Sequence, residues 1–240
     1  MTQRLSPLHH IHLANKATMT EYAGWLLPEK YTAPQSEAEN ALRSVGVCDI
    51  SSLEKLDIKG ANIDFFLKGI LGASGPVGSV SLSREKTSRI DYVCRLAKDH
   101  ALAICRENSG NSQTRSPLEL SGFPSVERCY LTNVTSVFAG VTLLGPSAPD
   151  LLGQLTQIDI SARSRDGWCG EGGLARVRAV VVRSELPWKS QTIPSFEIFF
   201  GRDYAEFLWD TIMEMGSKYS ITPLGEAARR LIQGSRGMTK

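Results

Sequence analysis

The sequence predicts an α+β fold, with mainly antiparallel sheets and helices packed on them, from three observations. Strand-like runs outnumber helical ones and often follow one another directly, as in "RIDYVCRLA" and "HALAIC". Neighbouring strands without a crossover helix pair antiparallel. A plan of strand, glycine turn and amphipathic helix recurs three times, which gives each helix an apolar face to lay on a sheet. Finally, no Pro/Gly/Ser-rich linker divides the 240 residues. One module of two interleaved subdomains is therefore expected, split approximately into 1–50 plus 135–240 and 51–134.

The elements follow in order. The opening "MTQRLSPLHHIHLANK" holds His9, His10 and His12. No Cys or acid stands near them at ligand spacing, so the segment reads as a mobile arm and no metal site is expected. "GVCDISSLEKLDIKG" (46–60) contains a half-buried strand, Leu56 and Ile58 alternating with Lys55, Asp57 and Lys59, and Gly60 closes it. Asp49 stands just upstream, two residues before a Ser51-Ser52 pair. An acid at a strand entrance is either a turn former or a site residue, and the local pattern leaves both open.

"LDIKGANIDFFLKGIL" is the first strand–Gly–helix unit, with Ile63, Phe66, Leu67 and Ile70 on one face. "VTLLGPSAPDLLGQL" repeats it with Leu151, Leu152 and Leu155. "FEIFFGRDYAEFLWDTIMEMG" repeats it again, with Tyr204, Phe207, Leu208 and Ile212 on one face and Gly216 as the stop. "VGSVSLS", "ERCYLTNVT" and "LARVRAVVVR" are further strand candidates. The least ordered stretches expected are 106–124 and 163–173, both rich in small polar residues. Within the second, "GEGG" reads as a turn into the strand that follows.

Composition narrows the function. Lys plus Arg is 27 and Asp plus Glu is 25, a net charge of +2. That balance argues against a dedicated nucleic-acid or polybasic membrane protein. No apolar run approaches the roughly 20 residues of a membrane span. The N-terminus lacks an apolar signal core, so a cytoplasmic location is expected. The five cysteines include no CxxC pair and read as small buried apolar residues in a reducing compartment. There is no GxGxxG, Walker loop, HExxH or GxSxG.

The stretch "EYAGWLLPEKYTAPQSEAENALRSVGVCDISSLEKLDIKGANIDFFL" (21–67) carries a more specific signal. It resembles the N-terminal region of the glycine-cleavage T-protein family, the folate-dependent aminomethyltransferases and their relatives. Gly24, Trp25, Pro28, Tyr31, Gly46, Asp49, Ser51, Gly60, Phe66 and Leu67 all fall on its pattern. "RIDYVCRLAKDHALAIC", "VTLLGPSAPDLL", "PSFEIFF" and "PLGEAARRLIQG" resemble later family segments in the same order. On this resemblance, the C-terminal domain of a full-length family member is expected to have no counterpart.

The resemblance implies tetrahydrofolate as the ligand and a set of site residues. Asp91 matches the family Asp that holds the folate where the one-carbon unit is transferred; a carboxylate there orients an amine and stabilises developing positive charge. The alternative is a strand-edge acid paired with Arg89 or Arg95. Glu197 matches the Glu that grips the aminopyrimidine edge, a bidentate contact. It is the one charge in "IPSFEIFF", and a buried acid needs a partner, either a ligand or a buried arginine. Asp49 and Ser51 match the family's D-V-S element, although Ser52 replaces the usual His. Arg183 and Arg230 match arginines that could hold the folate glutamate tail or a structural carboxylate. The arginine of the family's G-A-R-D run has no clear match in Glu226-Ala227-Ala228-Arg229. Tyr130 and Trp188 are candidates to stack on the ligand, with core packing as the alternative.

Two functions are implied. One is a one-carbon transferase, moving an aminomethyl or methyl group or a demethylation product onto tetrahydrofolate. It would take folate and a one-carbon donor, with a partner subunit or a second copy completing the cleft. The other is a non-catalytic structural subunit, resembling in length and in altered motifs the small subunit of heterotetrameric sarcosine oxidases. Iron–sulfur-repair relatives are set aside, because Cys169 lies in "GWCGEGG" and not in their K-G-C-Y-x-G-Q-E motif.

Overall fold

The computed structural model describes residues 3–22, 24–83, 90–105, 125–158, 160 and 167–234. The chain opens with β1 (Arg4–Leu5), α1 (His9–Ala14), β2 (Thr18–Tyr22), β3 (Trp25–Lys30), α2 (Pro34–Arg43) and β4 (Gly46–Asp49). Then come β5 (Glu54–Lys59), α3 (Ile63–Gly69), β6 (Val80–Leu82), β7 (Tyr92–Ala97), β8 (His100–Cys105) and β9 (Tyr130–Asn133). The last part holds β10 (Phe138–Leu144), α4 (Ala148–Leu155), β11 (Trp168–Leu174), β12 (Val177–Trp188), β13 (Gln191–Gly201), α5 (Ala205–Gly216), β14 (Thr222–Leu224) and α6 (Glu226–Gly234).

These strands form three sheets. A small one has the order β1-β3-β2. The largest, here the first main sheet, runs β11-β12-β13-β10-β4-β14, and the second main sheet runs β6-β7-β8-β5-β9. Pairing is antiparallel except between β1 and β3 and between β14 and β4. This is the α+β, mainly antiparallel architecture expected. The first main sheet draws on β4 and on the chain from residue 138 onward, and the second on residues 54–133.

The two main sheets lie face to face. Their shared core contains Val180, Val182 and Phe199 from the first, and Tyr92, Cys94, Leu102 and Ile104 from the second. A bridge between Ser79 and Trp168 ties their edges, with Val80 N–H donating to Gly167 O at 2.7 Å. The outer face of the first sheet carries Val141, Leu143, Phe196, Ile198 and Phe200 against α4 and α5. The outer face of the second packs Leu56, Ile58 and Val93 against Ile63, Phe66 and Leu67 of α3. A fourth cluster joins α2 and α6 to the far end of the first sheet, through Cys48, Leu144, Leu186, Ile193 and Leu224. Gly60 is required where β5 ends: its φ is +142°, and a Cβ there would stand 2.0 Å from Arg128 O.

Four expectations are corrected. The N-terminal histidines are not on a mobile arm, because they begin α1 and His12 is fully buried. Lys55 is not on a solvated strand face. β5 lies between α3 and the first main sheet, and at the inner end of its polar row Lys55 is 0% exposed, while Lys59 at the outer end is exposed. The buried face of α5 is Ala205, Leu208, Trp209 and Ile212, spaced i, i+3, i+4, i+7, which leaves Tyr204 and Phe207 exposed. "GEGG" is not a turn but part of β11. Its small residues admit neighbouring side chains: a Cβ at Gly170 would meet Trp168 at 2.5 Å, and one at Gly172 would meet Ile158 at 2.7 Å. The 106–124 stretch and residues 163–166 lie outside the described residues.

Candidate functional site

Strand register decides which candidates meet. Thr142 of β10 stands opposite both Cys48 of β4 and Glu197 of β13, and Glu197 stands opposite Val182 of β12. Directly paired residues share a face, so Val182, Glu197, Thr142 and Cys48 form one row facing inward. The same alternation puts Ser195, Ile193, Ser184, Leu186 and Trp188 on that face. One end of the face is covered by the second main sheet and the other by α2 and α6. Glu197 lies between these two coverings, 6% exposed.

Glu197 has a protein partner. The Tyr92 hydroxyl, at the start of β7 in the facing sheet, donates to Glu197 Oε2. Tyr92 is 4% exposed. It stands opposite Ile104, which stands opposite Lys55, so a row of the second sheet faces the Glu197–Phe199 segment of the first. At the other end of that row, Lys55 Nζ lies 5.7 Å from the centre of the Phe199 ring. Lys55 Nζ donates to Ser51 O at 2.9 Å and to Leu53 O at 2.8 Å. Burial pushes the Lys55 ammonium down to about 7, the nearby Asp49 and Glu54 charges offsetting only part of that cost. Asp91 is half-buried at the entrance to β7, one residue before Tyr92, and its N–H donates to Ile104 O at 2.9 Å. The Arg95 guanidinium, one of the partners proposed for Asp91, lies 3.1 Å from Asp64; the other, Arg89, lies outside the described residues.

The structure separates several candidates from Glu197. Asp49 pairs with Val141, which stands opposite Ile198, so Asp49 lies on the outer face of the first sheet. There its carboxylate accepts from Ser6 Oγ, from His12 Nε2 at 2.9 Å and from Ser51 N–H at 2.8 Å. Burial pushes the Asp49 carboxyl up, but the His12, Ser51 and Ser6 contacts outweigh it and hold it below the ordinary value. Tyr31 completes the chain with its hydroxyl 2.7 Å from His12 Nδ1, and burial beside Asp49 raises the Tyr31 phenol. Ser51 Oγ accepts from Gly140 N–H at 3.1 Å. Asp49 and Ser51 thus anchor α1 and β10 to β4, which favours the local structural reading of that acid.

Arg183 stands opposite Phe196, also on the outer face, with its guanidinium 5.4 Å from that ring and 3.5 Å from Glu185. Arg230 is half exposed and holds both oxygens of Glu29 at 2.8 Å, joining α6 to β3. Tyr130 is 69% exposed on the edge strand β9. Trp188 is half-buried on the Glu197 face, beside the α2–α6 cluster. Arg229 is gripped by Glu226, its Nε 3.1 Å from each carboxylate oxygen. Burial lowers the Arg229 guanidinium, but the Glu226 charge and hydrogen bond, together with the Cys48 and Tyr22 charges, outweigh it and hold the group above its ordinary value.

Sequence reasoning did not assign Tyr92, Lys55 or His12 to any interaction. Tyr92 had one usable signal, a hydroxylated aromatic in a strand otherwise filled by Val93 and Cys94. Lys55 had none, because its alternation matched a solvated face.

Comparison with known proteins adds the family. The chain is 23% identical to an aminomethyltransferase of Caldanaerobacter subterraneus subsp. tengcongensis, over 97% of this chain and 63% of that protein. It is 26% identical to one from Saccharopolyspora erythraea, over 98% of this chain and 64% of the relative. The chain therefore spans a little under two thirds of these relatives. The glycine cleavage system aminomethyltransferase T of Bartonella henselae shares the fold, with TM-score 0.74 and 19% identity over 99% of this chain and 63% of that one. A chain of the heterotetrameric sarcosine oxidase of Corynebacterium sp. U-96 also matches, with TM-score 0.60 and 18% identity over 90% of this chain and 95% of that one. The family model for the GCVT N-terminal domain matches residues 8–239, nearly the whole chain, and the chain belongs to that family.

Proposed function

We propose that this chain binds tetrahydrofolate and takes part in transferring a one-carbon unit to it, together with a donor and a partner chain or second copy. The observation that supports this most is Glu197. A carboxylate 6% exposed within an apolar strand, on the one sheet face left between two coverings, offers two acceptor oxygens to a planar ligand edge with adjacent N–H donors. Its fit to a pterin edge rests on that donor set.

In this reading Glu197 binds and orients the ring. Asp91, at the entrance to the strand that carries Tyr92, is the candidate to steady positive charge at the transfer position. The apolar Val182, Phe199 and Leu186 surroundings exclude water, which strengthens both contacts. Tetrahydrofolate, when bound, supplies the amine that accepts the one-carbon unit. Asp49, Ser51, Arg183, Arg230 and Tyr130 act in this account as structural or peripheral residues, and Trp188 as a wall of the same face.

A second reading, a non-catalytic subunit of a folate-linked complex, is supported by the Tyr92 hydroxyl on Glu197, which satisfies the buried acid without a ligand. Anaerobic calorimetric titration with tetrahydrofolate separates the two. The transferase reading expects micromolar binding, about −8 kcal/mol, lost in Glu197→Ala. No binding by the folded native chain, alone or with a co-purified partner, would leave the subunit reading standing.

A further inference from the structure

We infer that Tyr92 is an internal competitor for the ligand edge at Glu197, and so sets the affinity of the site; this rests on the folate reading above. Tyr92 and Glu197 come from different sheets and meet across the inter-sheet core. A phenol is a single donor, and it takes one of the two oxygens that a bidentate ligand needs. Both side chains are nearly sealed from water, so an incoming ring reaches Glu197 by displacing the hydroxyl. Binding then replaces the hydrogen bond from Tyr92 with one from the ligand edge. The phenol left behind has to find another acceptor or water, and this reduces the net gain.

The position of Tyr92 sharpens the point. It follows Asp91 directly, and both are held to Ile104, Tyr92 by strand register and Asp91 through its N–H. A shift of the Tyr92 side chain away from Glu197 therefore occurs beside the residue proposed to act at the transfer position. A residue that supports Glu197 and one that competes for it make opposite demands. Removing a support weakens ligand binding, whereas removing a competitor strengthens it.

The test is anaerobic titration of tetrahydrofolate into the native protein and into Tyr92→Phe, Glu197→Gln and the double variant, each checked for folding by circular dichroism. Phe keeps the ring in the core and deletes only the donor. Tyr92→Phe is expected to bind at least tenfold tighter than the native protein, with the gain absent when Glu197→Gln is added. Native binding with equal or weaker binding by Tyr92→Phe would overturn the inference and leave the folate reading intact, as would a gain that survives Glu197→Gln. Failure of both native protein and Tyr92→Phe to bind would overturn the two together. Should Tyr92→Phe not fold, the labelled and assigned phenol carbon of Tyr92 in the native protein gives the answer by NMR. Its signal is expected to move when tetrahydrofolate saturates the site, and an unmoved signal would refute displacement.

Discussion

Lys55 is the residue whose burial has the clearest energetic consequence. Its ammonium is lowered from an ordinary 10.5 to about 7 by desolvation. Between those values the unfolded chain binds a proton that the folded chain has released, so this group's contribution raises stability as pH rises. Lys55→Met should be most favourable relative to the native protein at pH 7 and below. That advantage should shrink by on the order of 4 kcal/mol by pH 10, measured by denaturant unfolding of both proteins across the range. Asp49 has the same sign of pH dependence in the acid range, but there it is the native interaction that is lost: a carboxyl held below its ordinary value contributes stability that disappears as pH falls through its folded value. Asp49→Ala leaves His12 and Ser6 buried without their acceptor, and should cost about 3–5 kcal/mol in the same assay at pH 7. The burial of Glu197 and its need for a partner were legible in the sequence because one charge interrupts an apolar strand. Its partner Tyr92 was not, because cross-sheet contacts between residues 105 positions apart leave no local pattern. Asp49 was legible as a site or turn acid, and only the strand register shows which face it takes.

At the scale of elements, helices and strands were legible where one side is solvent and the other core, as in α3 and α4. They were misread where both sides are covered. The start of β5 is packed on both faces, so apolar alternation marked only the α3 side and hid Lys55, which faces the first sheet. In α5 two overlapping apolar stripes compete, and the large indole of Trp209, 2% exposed, decides for the inward one. The junction of α2, α6 and β3 is held by Glu37, fully buried. Its Oε1 accepts from Tyr31 N–H at 2.7 Å and Thr32 N–H at 2.6 Å, and its Oε2 from Gly225 N–H at 2.9 Å. Glu37→Ala strands three backbone donors and should destabilise by about 3–5 kcal/mol. Gly225→Ala should be comparably harmful, since a Cβ there would lie 2.2 Å from Glu29 O. Thermal unfolding of the two variants checks both, and a near-native melting temperature in either would refute the clasp.

For the whole molecule, the face-to-face main sheets share one core and are tied at Ser79 and Trp168. They should therefore unfold together. Phe199, fully buried in that core, is expected to cost about 3–5 kcal/mol when changed to Ala. Guanidinium transitions followed by fluorescence and by circular dichroism should stay coincident; separated transitions would mean that the sheets are independent units. The same arrangement places the candidate site at the meeting of the two sheets and the α2–α6 cluster, which no single segment of sequence could disclose. The most direct measurement of the central claim is a crystal structure of the protein equilibrated anaerobically with tetrahydrofolate. The account expects the aminopyrimidine edge within hydrogen-bond distance of both Glu197 oxygens and the Tyr92 hydroxyl turned away. A ligand bound elsewhere, or a Tyr92 hydroxyl still on Glu197 at saturation, would contradict it.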